Sequence, residues 1–314
     1  MSDRIVFEDV SKFYGEVLGV NKITLSIQPG ITTLVGPNGA GKTTIMNLMT
    51  GLIQPSRGSV AVLGLTPADA TEFFTAVGYC AQFDFFPRGI TGGQFVLDSL
   101  MLYGMEKQMA MDLTAQALER VQLSADAAYR KVAGYSKGMR QKIRLAQAIA
   151  HHPRVLVLDE PLNGLDPMAR AESIALFQEL GRQGMHVIIS SHILDEVDRI
   201  SDRVILITGG YLIAEGDIHQ VRQEVHDKPM QVLIRCDHPE VLAAKMFSIN
   251  HCVEARLHAD GKGVFLRTAN IDQFYSMLNG IAAEGLVKID AVAPADDDAN
   301  AIYQYLIGSD GSAS

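Results

Sequence analysis

The chain has 314 residues, of which 47% are hydrophobic, and its formal net charge at pH 7 is −9. This length allows two domains that each bury a core, and the acidic balance argues against a surface built to bind nucleic acid, because clustered Lys and Arg bind phosphate backbones. The three cysteines show neither metal-ligand spacing nor an even disulfide set, so we expect them to be buried small hydrophobic residues. No apolar run reaches the roughly 18 residues needed to cross a bilayer, and the stretch 1–8 lacks a signal-peptide core. We therefore expect a protein that is not exported and that needs a partner for any membrane-spanning part.

The first 35 residues are expected to form short strands. Turn signals at Gly15, Pro29 and Gly30 separate the apolar stretches. This pattern predicts a β-rich, antiparallel edge of the first domain.

A glycine-rich stretch, 36–44, follows the apolar run 31–35 and precedes a helical pattern. Gly36, Gly39 and Gly41 let the backbone bend so that successive amide N–H groups point at one anion, and the next helix aims its positive end there. Lys42 is expected to reach the β- and γ-phosphates of a nucleotide, and Thr43 to offer its hydroxyl to Mg²⁺. With strand, loop and helix in order, the stretch predicts a phosphate-binding loop rather than a chance turn.

The middle of the chain alternates between strand and helix patterns, which predicts an α/β sheet with helices on both faces. The predicted strands are 59–63, 76–82, 154–158 and 186–190, and the predicted helical stretches are 91–123, the helix opened by 136–140, and 167–183. The region of about 88–152 is expected to form an inserted helical subdomain.

Two adjacent carboxylates, Asp159 and Glu160, follow the apolar run 154–158. Ligands bind at the carboxyl ends of strands in open α/β sheets, and an acidic turn there has no packing reason. We expect Asp159 to hold the Mg²⁺ touched by Thr43, and Glu160 to orient and polarise the water that attacks the γ-phosphate.

A shift in composition near 226–229 predicts a domain boundary, with one domain over 1–226 and a second over 227–308. The second shows the pattern β-α-β-β-α-β, which predicts a small α+β, ferredoxin-like domain closed by a helix over 299–307. The tail 309–314 is expected to be disordered.

Over about 5–216 these motifs resemble those of the ATP-binding subunits of ABC transporters. The resemblance implies a P-loop NTPase fold of the ABC type, with a β-rich edge, a RecA-like core and the inserted helical subdomain. The stretch 36–43 is similar to the Walker A loop and 155–159 to Walker B.

The resemblance also implies roles for single residues. Nucleotide binding falls to Tyr14, which stacks on adenine, to Gly36, Asn38, Gly39, Ala40, Gly41, Lys42, Thr43 and Thr44, and to Asp166 of the D-loop. Catalysis falls to Lys42, Gln82, Glu160 and His192, and Mg²⁺ binding to Thr43, Gln82 and Asp159. A packed strand residue is the other interpretation of Tyr14, and a polar residue at a helix start that of His192.

The stretch 136–139 resembles the signature loop of that family, although Lys137 stands in place of a glycine and Met139 in place of a glutamine. Ser136 and Gly138 keep the hydroxyl and the backbone N–H that grip a γ-phosphate, and Lys137 adds positive charge. In the family this loop acts in trans: Ser136 and Gly138 complete the ATP site of a second subunit.

The resemblance thus implies an ATPase that binds ATP and Mg²⁺, dimerises head to tail and powers transport. Its expected partners are a second ATPase subunit, for which a homodimer suffices, and a separate transmembrane permease, with no nucleic acid. The expected location is the cytoplasmic face of the cell membrane, and export is favoured over import. The alternatives are a soluble ABC ATPase acting on ribosomes or DNA, and a P-loop small-molecule kinase. The aromatic stretch 83–87 fits a core segment and a permease groove equally well.

Overall fold

A computed structural model of the chain describes residues 3–82, 85–191, 197, 200–201, 203–217, 230–248, 252–258, 260–268 and 271–294. The chain forms two compact units, 1–218 and 219–314. The predicted boundary at 226/227, the closing helix 299–307 and the tail 309–314 lie outside the described residues.

The first unit contains two sheets. Its strands are β1 (Ile5–Tyr14), β2 (Val17–Ile27), β3 (Gly30–Val35), β4 (Arg57–Val62), β5 (Val77–Cys80), β6 (Val155–Leu158), β7 (His186–Ser191), β8 (Arg203–Thr208) and β9 (Tyr211–Asp217). One sheet has the order β2-β1-β4 and is antiparallel; the other has the order β5-β6-β7-β3-β8-β9 and is parallel except at β9. The predicted β-rich edge and α/β sheet are therefore both present.

The helices of the first unit are α1 (Lys42–Met49), α2 (Ala70–Ala76), α3 (Gly92–Leu102), α4 (Lys107–Arg120), α5 (Ala125–Tyr129), α6 (Lys137–Ile149) and α7 (Pro167–Arg182). Side-chain oxygens of Thr91, Ser124, Ser136 and Asp166 accept backbone N–H groups at the starts of α3, α5, α6 and α7. These caps satisfy donors that a helix start leaves unpaired, which explains where the helices begin.

The parallel strands are buried on both faces, as the continuous apolar run of β6 predicts. Leu156 and Leu158 point to a core shared with α3, α4, α6 and α7, whereas Val155 and Val157 point to a core shared with α1 and the antiparallel sheet. The sheet thus separates two cores, and its strand ends lie between them.

Three details differ from the sequence-based expectations. β1 and β2 are long strands of 10 and 11 residues. The helix α2 was not predicted, because only Phe73 of its seven residues is buried and gives the pattern little periodicity. The strand predicted over 76–82 ends at Cys80, so Gln82 lies in the following loop.

The aromatic stretch after Gln82 divides between the two interpretations. Phe86 packs against the core and makes an edge-to-face contact with Phe95, with ring centroids 4.9 Å apart. Phe85 is 82% exposed. Phe83 lies outside the described residues.

The second unit contains β10 (Met230–Cys236), α8 (Pro239–Ser248), β11 (Glu254–Leu257), β12 (Gly263–Thr268), α9 (Ile271–Ala283) and β13 (Ile289–Pro294). Its antiparallel sheet has the order β11-β12-β10-β13. One face packs on the helices through a core that includes Val232, Ile234, Leu242, Leu266 and Phe274. The elements follow the predicted order, and the ferredoxin-like assignment stays a prediction.

All three cysteines are free and buried, as expected. Within the described ranges, no helix combines the length and the apolar character that a bilayer crossing requires.

Candidate functional site

The stretch 36–44 forms a loop between β3 and α1. Gly39 and Gly41 have φ angles of +83° and +109°, which L side chains rarely adopt. A Cβ at Gly41 would also lie 2.8 Å from the Gly19 carbonyl oxygen. Gly36 is buried and does not have a positive φ angle. Its carbonyl group accepts a hydrogen bond from Lys42. Two of the three glycines are thus required by backbone geometry.

Lys42, the first residue of α1, is only 6% exposed. Its Nζ donates to the carbonyl groups of Gly36 and Pro37 and lies 3.9 Å from Glu160 Oε1. Burial lowers the pKa of the Lys42 ammonium group, whereas the carboxylates of Glu160 and Asp159 act in the opposite direction. An anion bound at the loop would favour the charged form of Lys42 further.

A hydrogen-bond network joins the ends of β6 and β7 to the phosphate-loop helix. Thr43 Oγ1 donates to Asp159 Oδ2 at 2.9 Å, and Ser190 Oγ donates to Asp159 Oδ1 at 2.7 Å. Ser190 Oγ also accepts the backbone N–H of Glu160 at 2.7 Å. Glu160 has a φ angle of +49°, a left-handed conformation that is uncommon outside glycine. The network therefore fixes the Asp159 carboxylate and the Glu160 backbone beside Lys42 and Thr43.

Lys42, Thr43, Asp159 and Glu160 line one cleft of about 470 Å³, within the size range of small-molecule sites. From the predicted set it contains Tyr14, Asn38, Gly39, Ala40, Gly41, Lys42, Thr43, Thr44, Gln82, Asp159 and Glu160, together with Val17, Leu18 and Gly19. Tyr14 lies at the end of β1 with its ring against Gly19, and its ring is partly exposed. An aromatic face next to a phosphate loop can stack on a nucleotide base.

The donor set suits Mg²⁺. Thr43 and Asp159 supply a hydroxyl and a carboxylate oxygen that converge on one another, and Mg²⁺ prefers a few protein oxygens completed by phosphate groups and water. The described residues contain no cluster of three His, Cys, Asp or Glu side chains that could hold a metal by themselves. A magnesium ion here would depend on the nucleotide.

Gly36, Ser136, Gly138 and Asp166 are not among the residues that line this cleft. Ser136 caps the exposed start of α6 through its Oγ, which accepts the N–H of Met139 at 3.2 Å, and Gly138 follows in the first turn. The Lys137 ammonium group lies against Gly164, in the turn before α7. Asp166 is exposed and caps α7 by accepting the N–H of Ala169 at 2.9 Å. His192 lies outside the described residues.

Ser190 is the functional candidate that the motif pattern missed. It is buried at the end of β7, and the parallel register that pairs Leu158 with Ile189 brings it next to Asp159. The sequence shows that the apolar run 187–189 ends in two serines, but it does not show which group these serines contact.

The ABC transporter family model matches residues 20–163. Nod factor export ATP-binding protein I of Burkholderia orbicola (strain AU 1054) is 38% identical over 219 residues, which cover 68% of this chain and 71% of the relative. The chain belongs to the family of ABC transporter ATP-binding proteins.

A second relative of the same name, from Rhizobium etli, is 31% identical over 274 residues, covering 86% of this chain and 84% of the relative. This match is longer than the first unit alone. A dimeric ATP-binding cassette, MJ0796 bound to ADP and Pi, matches in fold with a TM-score of 0.63 at 22% identity, over 68% of this chain and 98% of that one. The predicted ABC-type P-loop NTPase fold and the ATP-hydrolysing transporter subunit are thus confirmed, and the chain binds nucleotide.

Proposed function

We propose that two copies of this ABC ATPase bind two ATP molecules head to tail between them, and that hydrolysis drives export through a separate membrane permease. The observation that carries the proposal is the network of Thr43, Asp159, Ser190 and Glu160 beside Lys42. It places the Lys42 cation, the oxygen ligands of Thr43 and Asp159, and the Glu160 carboxylate around one loop. These are the groups that ATP hydrolysis requires.

Within one copy, the backbone N–H groups of 38–44 and the Lys42 ammonium group hold the phosphates. Thr43 and Asp159 hold the magnesium ion, with Gln82 as a further ligand at the edge of the cleft. When bound, Mg²⁺ neutralises charge on the β- and γ-phosphates. Glu160, which lies beside Lys42 with its Oε1 3.9 Å from the Lys42 Nζ, acts on the attacking water, whereas Asp159 accepts the Thr43 and Ser190 hydroxyl groups. His192 contacts the γ-phosphate and Tyr14 stacks on adenine.

The second copy is needed because the start of α6 does not line the cleft of its own chain. Ser136 and Lys137 are exposed at the N-terminus of a helix of 13 residues, where unpaired N–H groups and the helix dipole favour an anion. Asp166 is exposed at the start of α7. Such a surface can close over the nucleotide held by another copy. Support comes from the dimeric cassette of the same fold.

A permease at the cytoplasmic face of the membrane is proposed as the further partner. Phe85 is 82% exposed three residues after Gln82, and Leu102 is 90% exposed at the end of α3. Large apolar side chains in contact with water favour a protein partner. Both curated relatives are named for export, which supports export over import. A soluble ATPase acting on ribosomes or DNA remains the alternative.

The variant Glu160→Gln tests the hydrolysis mechanism. It keeps the size of the side chain and removes the carboxylate, so we expect ATP affinity to be retained while kcat falls by about 10²–10⁴, the usual contribution of a general base. ATP and Mg²⁺ should then hold this variant as a dimer, measured by light scattering after size-exclusion chromatography.

The matched control is Glu240→Gln, at an exposed glutamate of the second unit. It should hydrolyse ATP at the normal rate and show no trapped dimer. Normal turnover of Glu160→Gln would refute the role of Glu160. If Glu160→Gln stays monomeric with bound ATP and Mg²⁺, the proposed dimer is refuted.

A further inference from the structure

A second cleft lies at the amino-terminal ends of the strands of the six-stranded sheet. The cleft that contains Lys42 and Asp159, here called the nucleotide cleft, lies at the opposite, carboxyl ends. The second cleft has a volume of about 290 Å³ and opens where β6 and β7 begin. The strands themselves, 4 and 6 residues long, separate the two clefts by ~13–20 Å at about 3.3 Å per residue. Asp3, Arg120, His152, Arg154 and His186 line this cleft, and none of them lines the nucleotide cleft.

His186 is the least exposed of these groups, at 1%. Neither of its ring nitrogens forms a hydrogen bond of good geometry, although the backbone of Asp3 and Gln28 lies nearby and Nε2 is 4.0 Å from Asp3 Oδ1. A buried polar group without a good partner is costly and uncommon in folded proteins. The His186 ring can therefore form a better hydrogen bond with an oxyanion that takes the position of the Asp3 carboxylate.

Arg154 shows which ligand chemistry fits. One terminal nitrogen of its guanidinium group donates to Asp3 Oδ1 at 2.9 Å, the same oxygen that lies near His186. The Asp3 carboxylate, from an exposed residue close to the start of the chain, is thus an oxyanion already bound in the cleft. A guanidinium fork matches the geometry of carboxylate and phosphate groups, and a neighbouring imidazole can donate a further hydrogen bond.

The charge of the lining also favours an anion. Arg120 and Arg154 are cationic, and Asp3 is the acidic side chain among the residues that line the cleft, whereas the whole chain has a net charge of −9. Arg120 is held in place by Glu179 and Gln183, at 3.1 and 2.6 Å. A metal ion is disfavoured, because the described residues hold no sufficient cluster of His, Cys, Asp and Glu.

We propose that this cleft binds a small oxyanion, a phosphate or carboxylate group carried by a small solute, which takes the place of the Asp3 carboxylate between Arg154 and His186. Arg120, which forms an ion pair with Glu179, adds a second guanidinium group to the lining. The volume is near the lower limit of ~300 Å³ for small-molecule sites, which suits a solute of modest size.

The experiment uses the full chain with ¹³C-labelled histidine, its nucleotide cleft filled with a non-hydrolysable ATP analogue and Mg²⁺. Inorganic phosphate is titrated in one arm and acetate in the other, at constant ionic strength, and the His186 resonance is assigned with His186→Gln. We expect a saturable shift of that resonance. Asp3→Asn should bind the anion about tenfold more tightly, since it removes the competing carboxylate, and Arg154→Gln at least tenfold more weakly.

Arg57→Gln, at an exposed arginine on β4, is the matched control and should bind as the parent chain does. Arg154→Lys serves if Arg154→Gln fails to fold, and it should still bind more weakly because a lysine lacks the fork. A response to phosphate alone or to both anions supports the proposal and defines the ligand class. No saturable response to either anion, or a response that neither Arg154 variant changes, overturns it.

Discussion

Ser190 links the Asp159 carboxylate to the backbone of Glu160 in the nucleotide cleft. Its hydroxyl group donates to Asp159 and accepts from the backbone N–H of Glu160, both at 2.7 Å. Glu160 has a left-handed backbone conformation, which for a residue other than glycine persists only when its surroundings hold it. One buried hydroxyl group therefore orients the proposed metal ligand and the proposed base together.

We expect Ser190→Ala to lower kcat by about 10- to 100-fold, because it removes two hydrogen bonds. The bond to the Asp159 carboxylate is worth roughly 1.5–3 kcal/mol, and the bond from the strained Glu160 peptide ~1 kcal/mol. ATP affinity should change little, since the contacts of the phosphate loop remain. Steady-state kinetics and equilibrium ATP binding measure the two effects separately.

The control is Ser201→Ala, at a buried serine whose hydroxyl accepts from Thr33 Oγ1 at 3.0 Å, outside the nucleotide cleft. It should lose comparable stability and retain turnover. Equal loss of turnover in both variants would show that Ser190 only supports the fold.

The sequence predicted that Lys42, Thr43, Asp159 and Glu160 belong to one site, because each lies in a motif with a local spacing, and the four line one cleft while their roles stay proposals. Ser190 was not accessible in this way, since its contact with Asp159 depends on the register between β6 and β7. Register is set when strands pair across the sheet, and the sequence of one strand does not specify it.

At the scale of elements, β5 and α6 approach each other unusually closely. A Cβ added at Gly78 would overlap the carbonyl oxygen of Ala148 and lie 2.9 Å from Pro153 Cγ. Gly78 thus allows α6 to pack against β5, and the start of the same helix carries Ser136 and Gly138. The position of the proposed signature loop therefore depends on a glycine far from it in sequence.

We expect Gly78→Ala to lower the free energy of unfolding of the first unit by about 1–3 kcal/mol, the usual cost of overpacking. Urea unfolding followed by circular dichroism measures it. Gly134→Ala is the matched control, because open space surrounds the position where its Cβ would lie, and it should stay within about 0.5 kcal/mol of the parent. An unchanged midpoint for Gly78→Ala would mean that α6 can shift without cost.

Most elements followed from periodicity and caps, and the misses have physical causes. The helix α2 has seven residues and one buried side chain, too few to give a helical period. The predicted strand over 76–82 included residues beyond Cys80 because apolar composition alone does not show where ladder pairing with β6 stops. Glycines such as Gly78 carry a packing role that becomes visible only with the partner element in place.

For the whole molecule, the first unit holds every described residue of the nucleotide cleft, and the second unit has a separate core. Several functional candidates of the first unit are exposed in the single chain: Ser136, Lys137, Asp166 and Phe85. Groups of this kind gain a role when another surface covers them. The molecule is therefore best understood as one part of an assembly.

Phe85→Ser tests the proposed permease contact. We expect this variant to leave ATP hydrolysis by the purified chain unchanged, because Phe85 does not line the nucleotide cleft, and to reduce the amount of chain that co-purifies with membranes at least tenfold. Loss of a large buried anchor at an interface costs about 2 kcal/mol or more, which corresponds to such a ratio. The measurement is quantitative immunoblotting of membrane and soluble fractions from cells that express the native operon.

Tyr129→Ser is the matched control, because Tyr129 is 83% exposed on α5 and equally aromatic. It should leave the membrane fraction unchanged, which separates a specific contact from a general loss of apolar surface. If the parent chain is found wholly in the soluble fraction of these cells, the permease contact is refuted and the soluble ABC ATPase is favoured. If both variants reduce the membrane fraction equally, association rests on surface hydrophobicity rather than on a contact through the loop after Gln82.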